Sequence, residues 1–326
     1  LGLEDTVRAT AFQPAHWRNR NWDDGSLTNE LELGETAEAR LGAPYLLMHR
    51  AALHEALASR VPKEWLRLDH ELTGLDLAGE RPALRFAHET RHAADGVVGA
   101  DGLHSLVRRT VFGDGAPDYT GRVAYRAVFP ADRLGTLVLD DNAKWWGPDR
   151  HIVMYYLDER RGEVYFTTSV PDADWRDDSW SSMGDLDELR ASFEGFHPHV
   201  RQVLAACPHT HKWAIADRAP LARWHDGPVV LLGDACHPMT PYMAQGAAQA
   251  LEDAMILARC LDAHDLLACW DRSALGDAYA RYQCTRQARA SEIQALSHGN
   301  QWMREKTDSD WLYRYDATGA ELLATV

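Results

Sequence analysis

The sequence predicts an α/β fold into which an antiparallel β-sheet is inserted and which ends in helices. Three observations predict it. Residues 229–232 are an apolar, partly β-branched run that reads as a buried parallel strand, followed by Gly233-Asp234 and, from Gly246, by apolar residues at helical spacing: Ala247, Leu251, Ala254, Met255, Ala258 and Leu261. Val97-Val98, the small-residue turn Gly99-Ala100-Asp101-Gly102 and the amphipathic run 103–111 repeat the order strand, turn, helix. Between them, residues 122–170 change to period two in the segments RVAYRAVF, TLVL, KWWG, RHIVMYYL and EVYFTTSV, separated by Gly, Pro and Asp, which is the pattern of an antiparallel sheet.

In chain order, residues 1–40 read as the end of a helix, then short strands and a turn closed by Gly25, with Trp17 and Trp22 as packing residues. Pro44 and residues 45–48 form an extended approach to an amphipathic helix carrying Leu53, Ala56 and Leu57, and His49-Arg50 stand at its start. Residues 66–95 alternate weakly as a hairpin. The polar, Trp-rich stretch 172–184 reads as a loop, residues 186–206 as one or two helices broken at His197-Pro198, and HKWAIADRAPLARW as an edge strand. Beyond Leu261 the chain is helical, with Arg286 and Arg289 on what reads as a solvated face.

The totals exclude several functions. The 326 residues carry 34 basic and 49 acidic side chains, a net charge of −15 without a basic stripe, so nucleic acid and anionic membrane surfaces are not expected partners. No apolar run approaches the roughly 20 residues of a membrane helix. Five cysteines, Cys207, Cys236, Cys260, Cys269 and Cys284, are odd in number and form no Cys-x-x-Cys pair, which suits reduced thiols in a cytoplasm rather than disulfides or zinc.

The chemistry concentrates in VVLLGDACHPMTPYMAQGAA, residues 229–248. The turn offers the Asp234 carboxylate to a ligand hydroxyl, and the helix opening at Gly246 offers free N–H groups and a positive dipole end to an oxygen-rich or electron-rich ligand. Gly-Asp alone is equally an ordinary βα loop. On the period-two strand 150–157, alternation puts His151, Val153 and Tyr155 on one face, with His151 and Tyr155 about 13 Å apart, enough to bracket an aromatic ring. An amphipathic sheet with both half exposed fits the same pattern. Arg50 by itself is a solvated charge, and Arg218 reads as a partner in a structural ion pair or as a substrate contact.

The whole string 229–248 resembles the flavin-dependent aromatic hydroxylases, single-component FAD monooxygenases, and within them the hydroxynicotinate and salicylate hydroxylases. The segments around His49-Arg50, Gly99 to Gly102, His151 to Tyr155 and Arg218 are similar to that family as well. The resemblance implies a Rossmann-like FAD-binding domain, 1–120 with 218–272, lacking its first βαβ unit; an inserted substrate-binding domain, 121–217, with the antiparallel sheet; and a C-terminal helical region, 273–326. No Gly-x-Gly-x-x-Gly occurs in the sequence, and the opening LGLEDTVRATAF looks entered mid-protein. The resemblance places Arg50, Gly99, Asp101, Arg109, Gly233, Asp234, Pro241, Gln245, Gly246 and Ala247 against FAD, and His151, Tyr155 and Tyr242 at the substrate. It implies NADH or NADPH and O₂ as co-substrates and a flavin C4a-hydroperoxide that hydroxylates a hydroxylated aromatic or pyridine carboxylate, with loss of the carboxylate in the hydroxynicotinate case. Where the hydroxynicotinate enzymes have His in the Pro-x-x-x-Gln-Gly loop, this chain has Tyr242, as in the salicylate hydroxylases. A salicylate-type or larger-ring hydroxylase, and a flavin-binding protein without hydroxylase activity, stay open, as does the choice between monomer and homodimer.

Overall fold

The computed structural model describes residues 1–113, 115–175, 182–266 and 271–325; Cys269 and the middle of the Trp-rich stretch lie outside them. The chain begins with α1 (Glu4–Thr10), β1 (His16–Asn21), β2 (Leu27–Glu32), α2 (Glu35–Leu41) and α3 (Arg50–Ala58). The short strands β3 (Leu72–Asp76), β4 (Ala83–Phe86) and β5 (Arg91–Ala93) lead to β6 (Val97–Gly99) and α4 (Leu106–Phe112). Strands β7 (Asp118–Pro130), β8 (Asn142–Trp146), β9 (His151–Tyr156), β10 (Glu163–Pro171) and β11 (Met183–Gly184) precede α5 (Leu186–Ser192) and α6 (Pro198–Ala206). The remainder is β12 (Thr210–Asp217), β13 (His225–Asp226), β14 (Val229–Leu231), α7 (Gly246–Asp262), α8 (Arg272–His298) and α9 (Asp310–Tyr313).

These elements form two compact units. The first comprises Leu1–Leu66, Tyr119–Ile215 and Met303–Arg314. Its eight strands run in the order β11-β12-β7-β10-β9-β8-β1-β2. The period-two segments that form strands pair antiparallel as expected, but β1 joins β8 in parallel, so the sheet is mixed and residues 1–66 belong to this compact unit. TLVL forms no strand; Leu139 is held instead by its N–H donating to the Tyr156 hydroxyl, 3.2 Å away. One face of the sheet is the core. Ile152, Met154, Tyr156 and Phe166 meet Leu189, Phe193, Val200 and Val203 of α5 and α6, which His197-Pro198 separates.

The second unit comprises Arg67–Asp118, Ala216–Trp302 and Tyr315–Val326. Here β14 pairs in parallel with β6, Val229 beside Val97 and Leu231 beside Gly99, so both strands end on the same edge. Gly99 is required by packing: a methyl group on it would stand 2.8 Å from Val107 Cβ and 2.9 Å from Leu231 Cδ2.

Helix α7 forms where its apolar spacing predicts, but with a different face inward. Gln249, Asp253, Ile256, Leu257 and Cys260 are buried, while Ala247, Leu251, Ala254 and Ala258 of the predicted stripe are exposed. The cause is a buried polar partner on α8. Arg286, fully buried, donates from Nε to Asp253 Oδ1 at 2.8 Å, from Nη1 to Glu252 at 2.6 Å and from Nη2 to Gln249 at 2.7 Å, so the guanidinium read as solvated draws three polar side chains of α7 toward it. Arg289 donates to Glu252 in turn. No helix among the described residues is long and apolar enough to cross a membrane.

Candidate active site

In the second unit, the turns after β6 and β14 leave the sheet side by side, at the carboxyl ends of adjacent parallel strands, where open α/β sheets bind ligands. Gly233 has φ +61°, the left-handed value that lets the chain turn sharply behind the exposed Asp234. Behind it, buried Asp253 accepts from the Gly233 N–H at 3.0 Å and from His237 Nε2 at 2.6 Å. The turn is thus held from inside by a carboxylate already paired with Arg286.

Residues 241–246 continue the wall. Pro241–Met243 is a 3₁₀ turn, Ala244 adopts φ +55°, and buried Gln245 leads into α7, whose first turn has no side-chain cap and no acidic residue. Tyr242 is buried. A Cβ on Gly246 would lie 3.7 Å from Asp234 Oδ1, so the carboxylate stands directly beside the open end of the helix. This segment is fixed from α8: Ser297 donates to the Thr240 carbonyl at 2.6 Å, and Gln294 Nε2 donates to the carbonyls of Pro238 at 2.9 Å and Arg218 at 2.8 Å.

Asp101 has a different set of partners. Its Oδ1 accepts from Ser105 Oγ, and its Oδ2 from the N–H groups of Leu106 at 2.8 Å and Val107 at 3.1 Å, so it braces the turn and caps the start of α4. Arg109 is exposed on the last turn of α4, whereas its neighbour Arg108 is buried and reaches the Cys236 carbonyl at 2.9 Å. Arg108, to which the sequence assigns no role, ties α4 to the turn after β14. Arg218 donates to the carbonyls of Leu103 at 3.1 Å and Gly115 at 2.6 Å, a loop-holding role. The second unit therefore brings together Gly99, Asp101, Gly233, Asp234, Pro241, Tyr242, Gln245, Gly246 and Ala247 on the elements at one edge. An uncapped helix end, a carboxylate for ribityl or ribose hydroxyls and small residues that admit close backbone approach suit the oxygen-rich middle of FAD.

Arg50, His151 and Tyr155 belong to the first unit. Arg50 is exposed at the first position of α3, where His49 Nδ1 accepts from the Ala51 N–H at 3.2 Å. His151 and Tyr155 leave β9 on the face opposite the hydrophobic core. His151 is 4% exposed, packed 5.2 Å from the Trp146 ring, and its pKa lies well below the ordinary imidazole value because of burial first and then the charges of Lys144 and Arg122. It is neutral at neutral pH, an acceptor as well as a donor. The Tyr155 ring lies 4.8 Å from Tyr165, and burial holds its pKa well above the usual phenol value, so its hydroxyl keeps its proton. The same face carries Trp17, Asn19, Asn142, Lys144 and Trp146, by the cross-strand pairing of β1, β8 and β9. Among the described residues, no group of three or more His, Cys, Asp or Glu is placed to hold a metal ion.

Residues 1–295 match the family described as FAD binding domain. The chain is 38% identical to 6-hydroxynicotinate 3-monooxygenase of Bordetella bronchiseptica over 99% of its length and 83% of the relative's. It is 37% identical to the enzyme of the same name from Pseudomonas fluorescens, with the same coverage, and 32% identical to 3-hydroxybenzoate 6-hydroxylase of Polaromonas naphthalenivorans over 90% of this chain and 72% of that one. A salicylate hydroxylase substrate complex superposes with a TM-score of 0.82 at 24% identity, covering 97% of this chain and 84% of the other, which shows the shared fold. By the family match and by these relatives, this chain belongs to the FAD-dependent aromatic-ring monooxygenases.

Proposed function

We propose that the chain uses FAD and a reduced nicotinamide nucleotide to hydroxylate an aromatic or pyridine ring that already carries a hydroxyl and a carboxylate, with loss of the carboxylate from a 6-hydroxynicotinate-like substrate. Bound FAD supplies the electrophilic oxygen: the nicotinamide nucleotide gives two electrons, one atom of O₂ enters the ring and the other leaves as water. The protein's own residues bind the cofactor, orient the ring and raise its electron density. Asp234, the N–H groups from Gly246 and Ala247, and the backbone of Gly99, Gly233 and Pro241 to Gln245 hold FAD, with Asp101 bracing the turn and Arg50 and Arg109 supplying charge to its phosphate or carbonyl oxygens.

The observation that carries this reading is the neutral, buried His151 on the sheet face it shares with Tyr155. A neutral imidazole accepts the proton of a ring hydroxyl, which makes the ring more nucleophilic; Tyr155, protonated, donates a hydrogen bond to ring or substituent. Tyr242, buried just before the start of α7, supports salicylate-like acids as a second reading, because its phenol offers one hydrogen bond where a histidine offers a cation. Buried Cys207, Cys236 and Cys260 with free thiols support a reducing, cytoplasmic setting for a monomer or homodimer.

The test is product identification from FAD-loaded protein supplied with NADH or NADPH and a panel of hydroxypyridine and hydroxybenzoate acids. One acid is expected to stimulate nucleotide oxidation and yield a ring-hydroxylated product. Oxidation that no acid stimulates, with no hydroxylated product, would refute the reading.

A further inference from the structure

Beside β9, the neighbouring strand carries an ammonium group on the same face. Lys144 of β8 is paired with Val153 on one side and with Asn19 on the other, midway between the rows that hold His151 and Tyr155. It is fully buried, with Nζ 3.8 Å from the centre of the Trp146 ring. That ring is fixed by its own Nε1–H, which donates to Asn19 Oδ1 at 2.8 Å, and the Arg304 guanidinium stands 5.6 Å from the same ring centre.

The groups around Lys144 are donors in need of acceptors. Asn19 Nδ2 and Trp17 Nε1 are buried and make no hydrogen bond within the described structure; the residues are 0% and 3% exposed. Neighbouring Asn142 differs in that its unmet atom, Oδ1, is an acceptor. Buried donors are normally satisfied, and two of them on a sheet face beside a lysine suit a ligand that brings acceptors.

We infer that Lys144, with Asn19 and Trp17, binds the carboxylate of the aromatic substrate and so selects aromatic acids over neutral rings. The inference rests on the reading of the His151 and Tyr155 face as the substrate wall. Chemistry favours a carboxylate here because it accepts several N–H groups at once and neutralises an ammonium, while His151, one row away, is the group suited to the ring hydroxyl. Burial, and then the charge of Arg304, hold the Lys144 pKa well below its ordinary value, and a carboxylate beside it would favour the charged form.

The experiment uses the full chain with FAD bound and measures dissociation constants from the perturbation of the flavin absorbance. The probes are two matched pairs: 6-hydroxynicotinate and 6-hydroxynicotinamide, salicylate and salicylamide. Lys144→Met is expected to weaken the better-bound acid at least tenfold and to leave its amide within twofold of wild type; Lys144→Arg is expected to recover part of the loss. Methionine in place of a buried cation is compatible with folding, and Lys144→Gln gives the same comparison if the Met variant does not accumulate. Acid and amide weakened equally, or neither weakened, would overturn the inference. If wild type binds the acids and loses turnover in His151→Ala while Lys144→Met binds them normally, only the role of Lys144 falls. If wild type binds none of the acids, the substrate class itself falls and the inference with it.

Discussion

Replacing Asp253 with Asn tests how the turn after β14 is held. The carboxylate is fully buried and serves three donors: Gly233 N–H at 3.0 Å, His237 Nε2 at 2.6 Å and Arg286 Nε at 2.8 Å. Removing one partner of a buried ion pair costs about 3–5 kcal/mol because the other charge stays behind in a poorly solvating interior. Glu252 and Gln249 still accept from Arg286, which places the expected loss at the lower end, about 3 kcal/mol. The pH dependence has a definite sign. Burial pushes the Asp253 pKa up, but His237 and Arg286 outweigh it and the net shift is down. A depressed carboxyl contributes stability that is fully present above its unfolded value of about 3.9 and is lost as pH falls through the lower folded value. In urea unfolding, Asp253→Asn should therefore fall below wild type by a constant amount between pH 6 and 8, and the gap should close toward acid. FAD affinity should fall too, since Gly233 loses its anchor. A variant within about 1 kcal/mol of wild type at pH 7 would refute the reasoning.

Other outcomes follow from the same geometry. Gly99→Ala puts a methyl group 2.8 Å from Val107 Cβ and 2.9 Å from Leu231 Cδ2, and should cost about 1–3 kcal/mol in urea unfolding and lower the flavin content of the purified protein. Trp146→Phe removes the donor 2.8 Å from Asn19 Oδ1 and should cost about 1–3 kcal/mol, read from the same denaturation curve. His151→Ala should lower kcat at saturating substrate by about 10²–10⁴ with FAD binding unchanged. Because burial depresses the His151 pKa, the unfolded chain takes up this proton first, and wild type should lose stability as pH falls below about 6.5; His151→Ala should lack that component.

What the sequence revealed and what it hid divide by the range of the interactions. β14, its Gly-Asp turn and α7 were legible because an apolar run, a turn glycine and helical spacing are local signals, and the two faces of β9 followed from alternation alone. The inward face of α7 was misread because Gln249 and Asp253 are buried by Arg286, which lies 33 residues beyond Asp253 and has no local signature. The parallel pairing of β1 with β8 joins residues 125 apart, Trp17 and Asn142, and no periodicity announces such a partner. Arg108 and Arg109 are indistinguishable until the phase of α4 is known; one is then buried against the Cys236 carbonyl and the other faces outward. Lys144 in KWWG looks like any surface lysine, and only the strand register puts it beside His151 and Tyr155.

The proposed function requires that an oxygen atom from O₂ be placed on a hydroxylated aromatic acid. The most direct test is mass spectrometry of the product formed by the FAD-loaded protein with NADH or NADPH, the stimulating acid and ¹⁸O₂. One ¹⁸O atom per product molecule is expected, in a new ring hydroxyl. Nucleotide oxidation that yields only hydrogen peroxide, or a product without the label, would contradict it.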